Sequence, residues 1–316
     1  MKIFILSWLP LSPVDSGYKK RVTELALALK RYGAEIQVLS PGEPVPGIPH
    51  RMWESLVAEN AHPSMVTRNL PKGRLLAPRK RVVLEEAAKI GAAFKPDWVI
   101  AEGLWAIPAA SKAAKTCGVK MAVTVHNLEG LSARGVYPFP IPTTLGRFEY
   151  RAYSQADHVL AMSDEERDLL AGKVSGCKGS ITVVPNGARS IPLEMNSERR
   201  AETRTQWNVK EDQLVGLFLG RLDYPPNRKG LEWFSREVVP NIPDSDRQRF
   251  VWKVVGRPVP SEPMLPLDFL GFVEDLEPVF EAADFVFSPI LHGSGTALKV
   301  LDSLAAGLPL VSTPHG

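Results

Sequence analysis

The chain has 316 residues, of which 44% are hydrophobic and 23% are charged, a balance typical of a folded globular protein with room for two domains. A net charge of +3 is too small to indicate a nucleic-acid partner. Two cysteines provide neither a disulfide framework nor a metal site, and the apolar opening is too short to span a bilayer, so we expect a cytoplasmic protein.

The first part of the chain alternates short apolar runs with amphipathic patterns. Ile3 to Leu6 is a continuous apolar run, typical of a strand buried on both faces. Residues 19–32 carry apolar side chains at helical spacing, Gly33 ends the predicted helix, and a second strand follows at 35–39. The order strand, helix, strand is the building block of a parallel sheet. Further strands are predicted at 98–101, 121–125, 158–162 and 181–184, and helices at 84–94, 109–116, 145–155 and 164–171.

A second alternating series begins after residue 212. Its predicted strands are 214–219, 250–255, 268–270 and 284–288, and its predicted helices are 231–238, 276–282 and 296–306. The stretch 188–212 is polar and lacks a strand, so we place the domain connection there, between an N-terminal domain at 1–192 and a C-terminal domain at 193–316. Two parallel-sheet domains would face a cleft with the carboxyl ends of their strands, where ligands bind.

The apolar run 308–312 predicts a further strand close to the end of the sequence, and no covering helix follows it. An uncovered strand face would expose apolar surface, so we expect the second domain to be incomplete at its C-terminus. The alternative is a sheet that ends with a bare face.

The segment GSGTALKVLD at 293–302 leaves the predicted strand 284–288 and enters a helix. Glycines allow the backbone to approach a phosphate, and a helix N-terminus offers unpaired N–H groups. Lys299 adds positive charge one turn into the helix, and the carboxylate of Asp302 can accept hydrogen bonds from a ribose. The segment therefore predicts a nucleotide-phosphate site. The alternative is an ordinary strand-to-helix turn with a solvated lysine and aspartate.

Six further blocks, together with this loop, resemble the retaining GT-B glycosyltransferases of family 4, in the branch of exopolysaccharide synthesis. They are Ser16-Gly17, VTVHN at 123–127, PNG at 185–187, GRLDYPPNRKG at 220–230, VGRP at 255–258 and LGFVEDL at 270–276. The resemblance covers nearly the whole chain in order. It implies an α/β fold with two Rossmann-like domains, an acceptor-side domain followed by a domain that binds a nucleotide-sugar donor.

The resemblance implies a set of donor-binding residues. Asp302 matches the acidic residue that binds the donor ribose, where the family usually has glutamate. Ser294 replaces the acidic residue that contacts the sugar, so that contact must differ here or come from backbone amides. The donor-binding residues are Gly17, Gly293, Ser294, Gly295, Thr296, Lys299 and Asp302. Ala297 replaces a common arginine, which removes one expected phosphate contact.

Three residues match the family's catalytic positions. Arg221 and Lys229 match the basic pair that stabilises the charge developing on the diphosphate leaving group, and Arg228 is the alternative to Lys229. His126 follows a predicted strand and matches the histidine that contacts the transferred sugar; the alternative is a structural histidine. Glu149 matches a recurrent helix acid of the family, for which a structural role is the alternative.

We expect no cofactor besides the nucleotide-sugar, and no metal. The one DxD motif, Asp244-Ser245-Asp246, lies in a connection before a strand rather than in a cleft loop. Gly17, with Ser16 as N-cap, would bring a second helix N-terminus toward the diphosphate, or is a plain helix cap.

A basic stretch at 68–81 is either a solvated surface loop or a contact to anionic lipid headgroups or a polyprenyl-diphosphate acceptor. Its basic residues are Arg68, Lys72, Arg74, Arg79, Lys80 and Arg81. The predicted function is transfer of a sugar, with retention, to a glycan, lipid-linked or small-molecule hydroxyl. The alternatives are a GT-B epimerase and a non-catalytic nucleotide-sugar-binding or partner subunit.

Overall fold

The computed structural model describes residues 1–14, 16–52, 81–134, 137–174, 181–188, 197–291 and 298–315. The chain divides into two compact units, Met1–Pro185 and Asn186–Gly316. Each unit contains one parallel sheet with helices, which confirms the predicted fold class. The predicted boundary after residue 192 lies outside the described residues.

The first unit contains a seven-stranded parallel sheet. Its strands are β1 (Lys2–Ser7), β2 (Glu35–Ser40), β3 (His50–Met52), β4 (Trp98–Glu102), β5 (Lys120–Thr124), β6 (His158–Ala161) and β7 (Ile181–Val183). Their order in the sheet is β3-β2-β1-β4-β5-β6-β7. Only the edge strand β3 was not predicted, because its three residues include two exposed side chains and therefore form no apolar run.

The described helices of the first unit are α1 (Gly17–Arg31), α2 (Arg81–Phe94), α3 (Ile107–Cys117), α4 (Glu129–Ser132), α5 (Ile141–Tyr153) and α6 (Asp164–Ala171). Ser16 caps α1 as expected, because its side chain accepts a hydrogen bond from the backbone N–H of Lys19. Helix α4 was not predicted, since four residues are too few to show a helical period.

The first sheet is buried on both faces. Ile3 and Ile5 belong to a core cluster with Val22 of α1. Phe4 and Leu6 belong to a second cluster, with residues of α2 and α3. Since successive residues of a strand point to opposite faces, a strand between two layers of helices must be apolar at every position. This explains the continuous apolar run from which β1 was predicted.

The second unit contains a five-stranded parallel sheet. Its strands are β8 (Leu214–Leu219), β9 (Phe250–Val255), β10 (Leu267–Gly271), β11 (Phe285–Ser288) and β12 (Leu310–Ser312), and their order is β10-β9-β8-β11-β12. Its described α-helices are α7 (Ser197–Gln206), α8 (Pro225–Trp233), α9 (Asp244–Arg247), α10 (Glu277–Ala282) and α11 (Leu298–Ala305), and a π-helix at Phe234–Val238 directly follows α8. Helix α8 begins six residues before the predicted helix 231–238, because the polar residues at its start hide the helical pattern.

Helix α7 forms where the sequence predicted only a polar connection. The helix has no buried residue, so hydrophobic periodicity could not reveal it. Its arginines instead bind carboxylates: Arg199 pairs with the fully buried Glu281, and Arg204 Nη1 lies 2.9 Å from Asp284 Oδ2. Charge-assisted hydrogen bonds therefore attach α7 to the second unit.

Candidate functional site

His126 lies at the carboxyl edge of the first sheet, two residues after β5, as predicted. Its Nε2 lies 2.7 Å from Oε2 of Glu102, the last residue of β4. The Glu102 side chain is fully buried, whereas the His126 side chain is 11% exposed. The second carboxylate oxygen of Glu102, Oε1, is buried, and no group in the described part of the chain hydrogen-bonds to it. The pair therefore places a histidine, backed by a buried carboxylate, at the surface of this edge.

Tyr18 of α1 holds His126 from one side. The two ring centroids are 4.3 Å apart. The Tyr18 hydroxyl donates to the backbone carbonyl of Glu102 at 2.9 Å and lies 2.9 Å from the Ser7 hydroxyl. Burial and the nearby Glu102 raise the pKa of Tyr18 well above its ordinary value, so the hydroxyl keeps its proton. Gly17 directly precedes Tyr18 at the exposed start of α1, so the fold brings the predicted residues Gly17 and His126 to the same edge.

Glu102 and Tyr18 were not predicted as site residues. The sequence could have indicated Glu102, because it is the single charged residue of the apolar strand WVIAE and lies at its carboxyl end. Ligand-binding residues of parallel sheets lie at that end. No sequence pattern indicated Tyr18 as a site residue, since an aromatic residue near the start of a helix usually packs into the hydrophobic core.

Glu149 is a structural residue, which was the stated alternative to a role in the site. Its fully buried carboxylate on α5 accepts hydrogen bonds from the backbone N–H groups of Glu129 and Gly130, at 2.9 and 3.1 Å, and from the Tyr153 hydroxyl at 3.0 Å. Glu149 thus satisfies the unpaired N–H groups at the start of α4. A Cβ at Gly130 would lie 2.6 Å from Gly146 Cα, so α4 and α5 pack backbone to backbone.

The burial of Glu149 predicts a pH-dependent stability of the first unit. Burial raises the pKa of Glu149 to about 7, although its three hydrogen bonds lower it. A folded-state pKa above the unfolded one means that the contribution of Glu149 to stability is complete below about pH 4.5 and is lost as the pH rises through 7. We expect the free energy of unfolding to fall by on the order of 3 kcal/mol between these limits.

Urea unfolding between pH 4.5 and 8 measures this slope. Glu149→Gln, which does not titrate, should remove most of it. Glu165→Gln replaces an exposed glutamate of the same unit and should leave it unchanged. An equal slope in Glu149→Gln and in the unchanged chain would contradict the prediction.

In the second unit, three motif glycines bring backbone segments into contact at the carboxyl edge of the sheet. A Cβ at Gly256 would lie 1.9 Å from the Gly220 carbonyl oxygen, and one at Gly230 would lie 2.3 Å from the Pro289 carbonyl oxygen. The blocks GRLDYPPNRKG and VGRP therefore require glycine because no side chain fits. They place the turn after β8, the turn after β9, helix α8 and the end of β11 side by side.

We expect Gly230→Ala to destabilise the second unit. The added methyl group must push α8 away from Pro289, and overpacking of this kind costs about 1–3 kcal/mol. Chemical denaturation measures the loss. Gly172→Ala, in the first unit, is the control, since a Cβ there meets nothing within 4 Å among the described residues and should change stability little. Equal stability of both variants would show that α8 adjusts without cost.

Lys299 lies one residue into α11, and its ammonium packs against the turn after β8. Its Nζ lies 2.9 Å from Asn227 Oδ1 of α8 and 3.9 Å from the ring centroid of Phe218. Asn227 Nδ2 also donates to the Arg221 carbonyl oxygen at 2.7 Å. No carboxylate among the described residues pairs with Lys299, and burial lowers its pKa to about 7. The second unit therefore holds a partly buried lysine, without a carboxylate partner among the described residues, at the start of α11.

The other predicted residues of the second unit are more exposed. The guanidinium of Arg221 pairs with Asp223 in the same turn, with Nε 2.9 Å from Oδ1. Lys229 is exposed on α8, two residues after the buried Asn227 and so on the opposite side of the helix. Asp302 is half-buried one turn after Lys299. Asn227 thus links Lys299 to the backbone of Arg221.

Several predictions fall outside the described residues. They include Gly293, Ser294, Gly295 and Thr296, and the basic stretch except Arg81, which pairs with Glu85. Within the described ranges, no group of three histidine, cysteine, aspartate or glutamate side chains could hold a metal ion, and no helix could cross a membrane. Asp244 and Asp246 lie in the exposed helix α9. Independence from metal stays a prediction.

Two glycosyltransferase family models match the chain. The family model described as "Glycosyl transferase 4-like domain" matches residues 16–187, and the model "Glycosyl transferases group 1" matches residues 213–316. A D-inositol 3-phosphate glycosyltransferase from Actinosynnema mirum is 27% identical over an alignment of 223 residues that covers 63% of this chain and 51% of the relative. The match thus spans about half the length of that relative.

Two solved structures show the fold. Sucrose-phosphate synthase from Thermosynechococcus elongatus superposes with a TM-score of 0.74 at 17% identity, covering 100% of this chain and 82% of that one. Anabaena HepE, in complex with UDP and glucose, superposes with a TM-score of 0.67 at 15% identity, covering 100% and 81%. Because the first family model matches more than half of the chain, and the two parallel-sheet units have the GT-B fold, the chain belongs to the GT-B glycosyltransferases of family 4.

Proposed function

We propose that this protein is a retaining glycosyltransferase that moves a sugar from a nucleoside-diphosphate sugar to a hydroxyl group of a glycan, a lipid-linked or a small-molecule acceptor. The observation that carries the proposal is the ammonium of Lys299, which is partly buried against Asn227 and Phe218 and has no carboxylate partner among the described residues. A buried cation is costly unless an anion compensates it. A diphosphate bound at the adjacent turn would be such an anion.

The pKa of Lys299 supports this role. At about 7, it leaves the free site partly neutral at physiological pH. A bound diphosphate would favour the charged form and raise this pKa. During transfer, the bond between the anomeric carbon and the diphosphate oxygen breaks with its electron pair on that oxygen. A positioned lysine and nearby backbone N–H groups would stabilise this charge.

The pair of His126 and Glu102 supports a role for the first unit in positioning the sugar. In the transfer, the acceptor oxygen bonds to the anomeric carbon and its proton is released. His126 would contact the transferred sugar, as the family resemblance implies. The buried Glu102 carboxylate accepts a hydrogen bond from Nε2–H of His126 and so orients the ring, as carboxylates orient histidines elsewhere.

The comparisons suggest which donor and acceptor classes to test first. HepE was solved with UDP, with UDP-glucose, and with UDP and glucose, so uridine nucleotides are the first donors to test. The name of the Actinosynnema relative makes a phosphorylated cyclitol one acceptor to include. Polysaccharide biosynthesis and a cytoplasmic location are part of this proposal. The basic stretch 68–81 would contact an anionic membrane surface, which co-sedimentation with anionic but not neutral vesicles would test.

A non-catalytic nucleotide-sugar-binding subunit is the second candidate. The pairing of Arg221 with Asp223 favours it, because a neutralised arginine stabilises a leaving group less. Incubation with UDP-, GDP- and ADP-sugars, with and without acceptors, separates the two candidates. Release of nucleoside diphosphate that depends on the acceptor supports transfer. Donor binding without release supports the binding subunit, and no binding of any donor would refute both.

A further inference from the structure

We propose that Asn227 is the positioning residue of the donor site, which holds the Lys299 ammonium against the Gly220–Arg221 turn so that its charge points at the donor diphosphate. The inference rests on the proposed function for the identity of the ligand. It goes beyond that function because no motif assigned a role to Asn227.

The contacts of Asn227 show how one side chain joins two segments. Its Oδ1 accepts a hydrogen bond from Lys299 Nζ at 2.9 Å, and its Nδ2 donates to the Arg221 carbonyl oxygen at 2.7 Å. A carboxylate could not make the second contact, and a lysine or arginine could not make the first. Both polar atoms of the amide are thus used, and the residue is 7% exposed.

The packing around Asn227 leaves it little freedom to move. A Cβ at Gly220 would lie 2.7 Å from Asn227 Nδ2 and 3.4 Å from Lys299 Nζ, so the glycine makes room for both groups. Gly230, one turn later on α8, contacts the Pro289 backbone just after β11. The contacts of Asn227 and Gly230 therefore fix this turn of helix α8. The hydrogen bond to Asn227 in turn fixes where the Lys299 ammonium lies.

Asn227 also acts on the charge of Lys299. Burial is the cause that lowers the pKa of this lysine, and no charged side chain of β8, α8 or β11 among the described residues pairs with it. The Oδ1 dipole and the Phe218 ring are the groups that favour the ammonium form. The neutral amide of Asn227 stabilises the positive charge of Lys299 but, unlike a carboxylate, does not neutralise it. The charge therefore remains available to a phosphate.

Two variants of Asn227 test the proposal through the titration of Lys299. NMR of protein labelled with ¹³C-lysine, with Lys299→Arg to assign the signal, reports this titration without any ligand. Asn227→Ala removes the acceptor and should lower the titration midpoint. Asn227→Asp adds a permanent negative partner and should raise it. Asn241→Ala is the matched control, because Asn241 also donates to a backbone carbonyl but lies exposed elsewhere in the unit.

Binding of UDP-glucose, measured by calorimetry at pH 6.5, provides the second readout. Both Asn227 variants should bind about tenfold more weakly or worse, although their midpoints move in opposite directions. Asn241→Ala should bind like the unchanged chain. Midpoints that stay in place in both variants, or undiminished binding by them, would overturn the proposal. If the unchanged chain binds no nucleotide-sugar, the proposed function fails, whereas the NMR titration still decides whether Asn227 controls Lys299.

Discussion

Replacing His126 is expected to lower the turnover of sugar transfer by about 100-fold or more, the usual cost of losing one preorganised group at a reacting centre. His126→Gln is the better variant, because its side-chain amide can still donate to the buried Glu102 carboxylate. His126→Ala would leave that carboxylate without its partner and destabilise the first unit, as loss of one partner of a buried pair generally does. Initial rates of diphosphate release measure the effect.

The controls separate chemistry from folding. His158→Gln replaces the histidine that begins β6, at the opposite edge of the sheet from His126, where it packs against Trp98. It should keep the rate of the unchanged chain. Donor affinity should change little in His126→Gln, since the proposed diphosphate contacts belong to the second unit. A His126→Gln variant with normal turnover would contradict a role for His126 in the transfer and would show that it is a structural histidine.

Lys299 is expected to make donor affinity depend on pH. Only the ammonium form attracts the diphosphate, and the pKa of Lys299 in the free protein is about 7. The affinity for UDP-glucose, whose diphosphate does not titrate in this range, should therefore be constant below pH 7 and fall above it. Lys299→Met should abolish this dependence and weaken binding at pH 6 by about 10- to 100-fold, the value of a hydrogen bond to a charged group.

Calorimetry from pH 6 to 9 measures both effects. Lys210→Met, which removes an exposed lysine of the same unit, is the matched control. Lys229→Met tests the assignment made from the family pattern. A large loss in Lys229→Met, with none in Lys299→Met, would restore the pair of Arg221 and Lys229 and contradict the role of Lys299.

Hydrophobic periodicity predicted the central strands of both sheets well because those strands are buried. In β1 and β8, nearly every residue packs against a helix layer, so the strand is visible as an apolar run. The same signal fails where burial is absent. Strand β3 lies at an edge, and helix α7 is attached by Arg199, Arg200 and Arg204 to carboxylates far along the chain. No local pattern records such partners.

The sequence also placed His126 and Gly17 at the ends of elements, and the structure confirms both positions. Family blocks identified Gly230 and Gly256 as motif residues without stating what they do. The structure gives the reason, which is backbone contact at distances where a Cβ cannot fit. The interpretation of Glu149 stayed open in the sequence, and its three hydrogen bonds assign it to the attachment of α4 to α5.

The sequence by itself determined the fold class and the GT-B family, since both depend on local patterns repeated along the chain. Only the tertiary structure decided which polar groups meet. Glu102 reaches His126 across neighbouring strands, and Asn227 reaches Lys299 across 72 residues of sequence. Hydrogen-bond partners depend on the three-dimensional placement of single atoms, and residue spacing along a chain does not encode that placement.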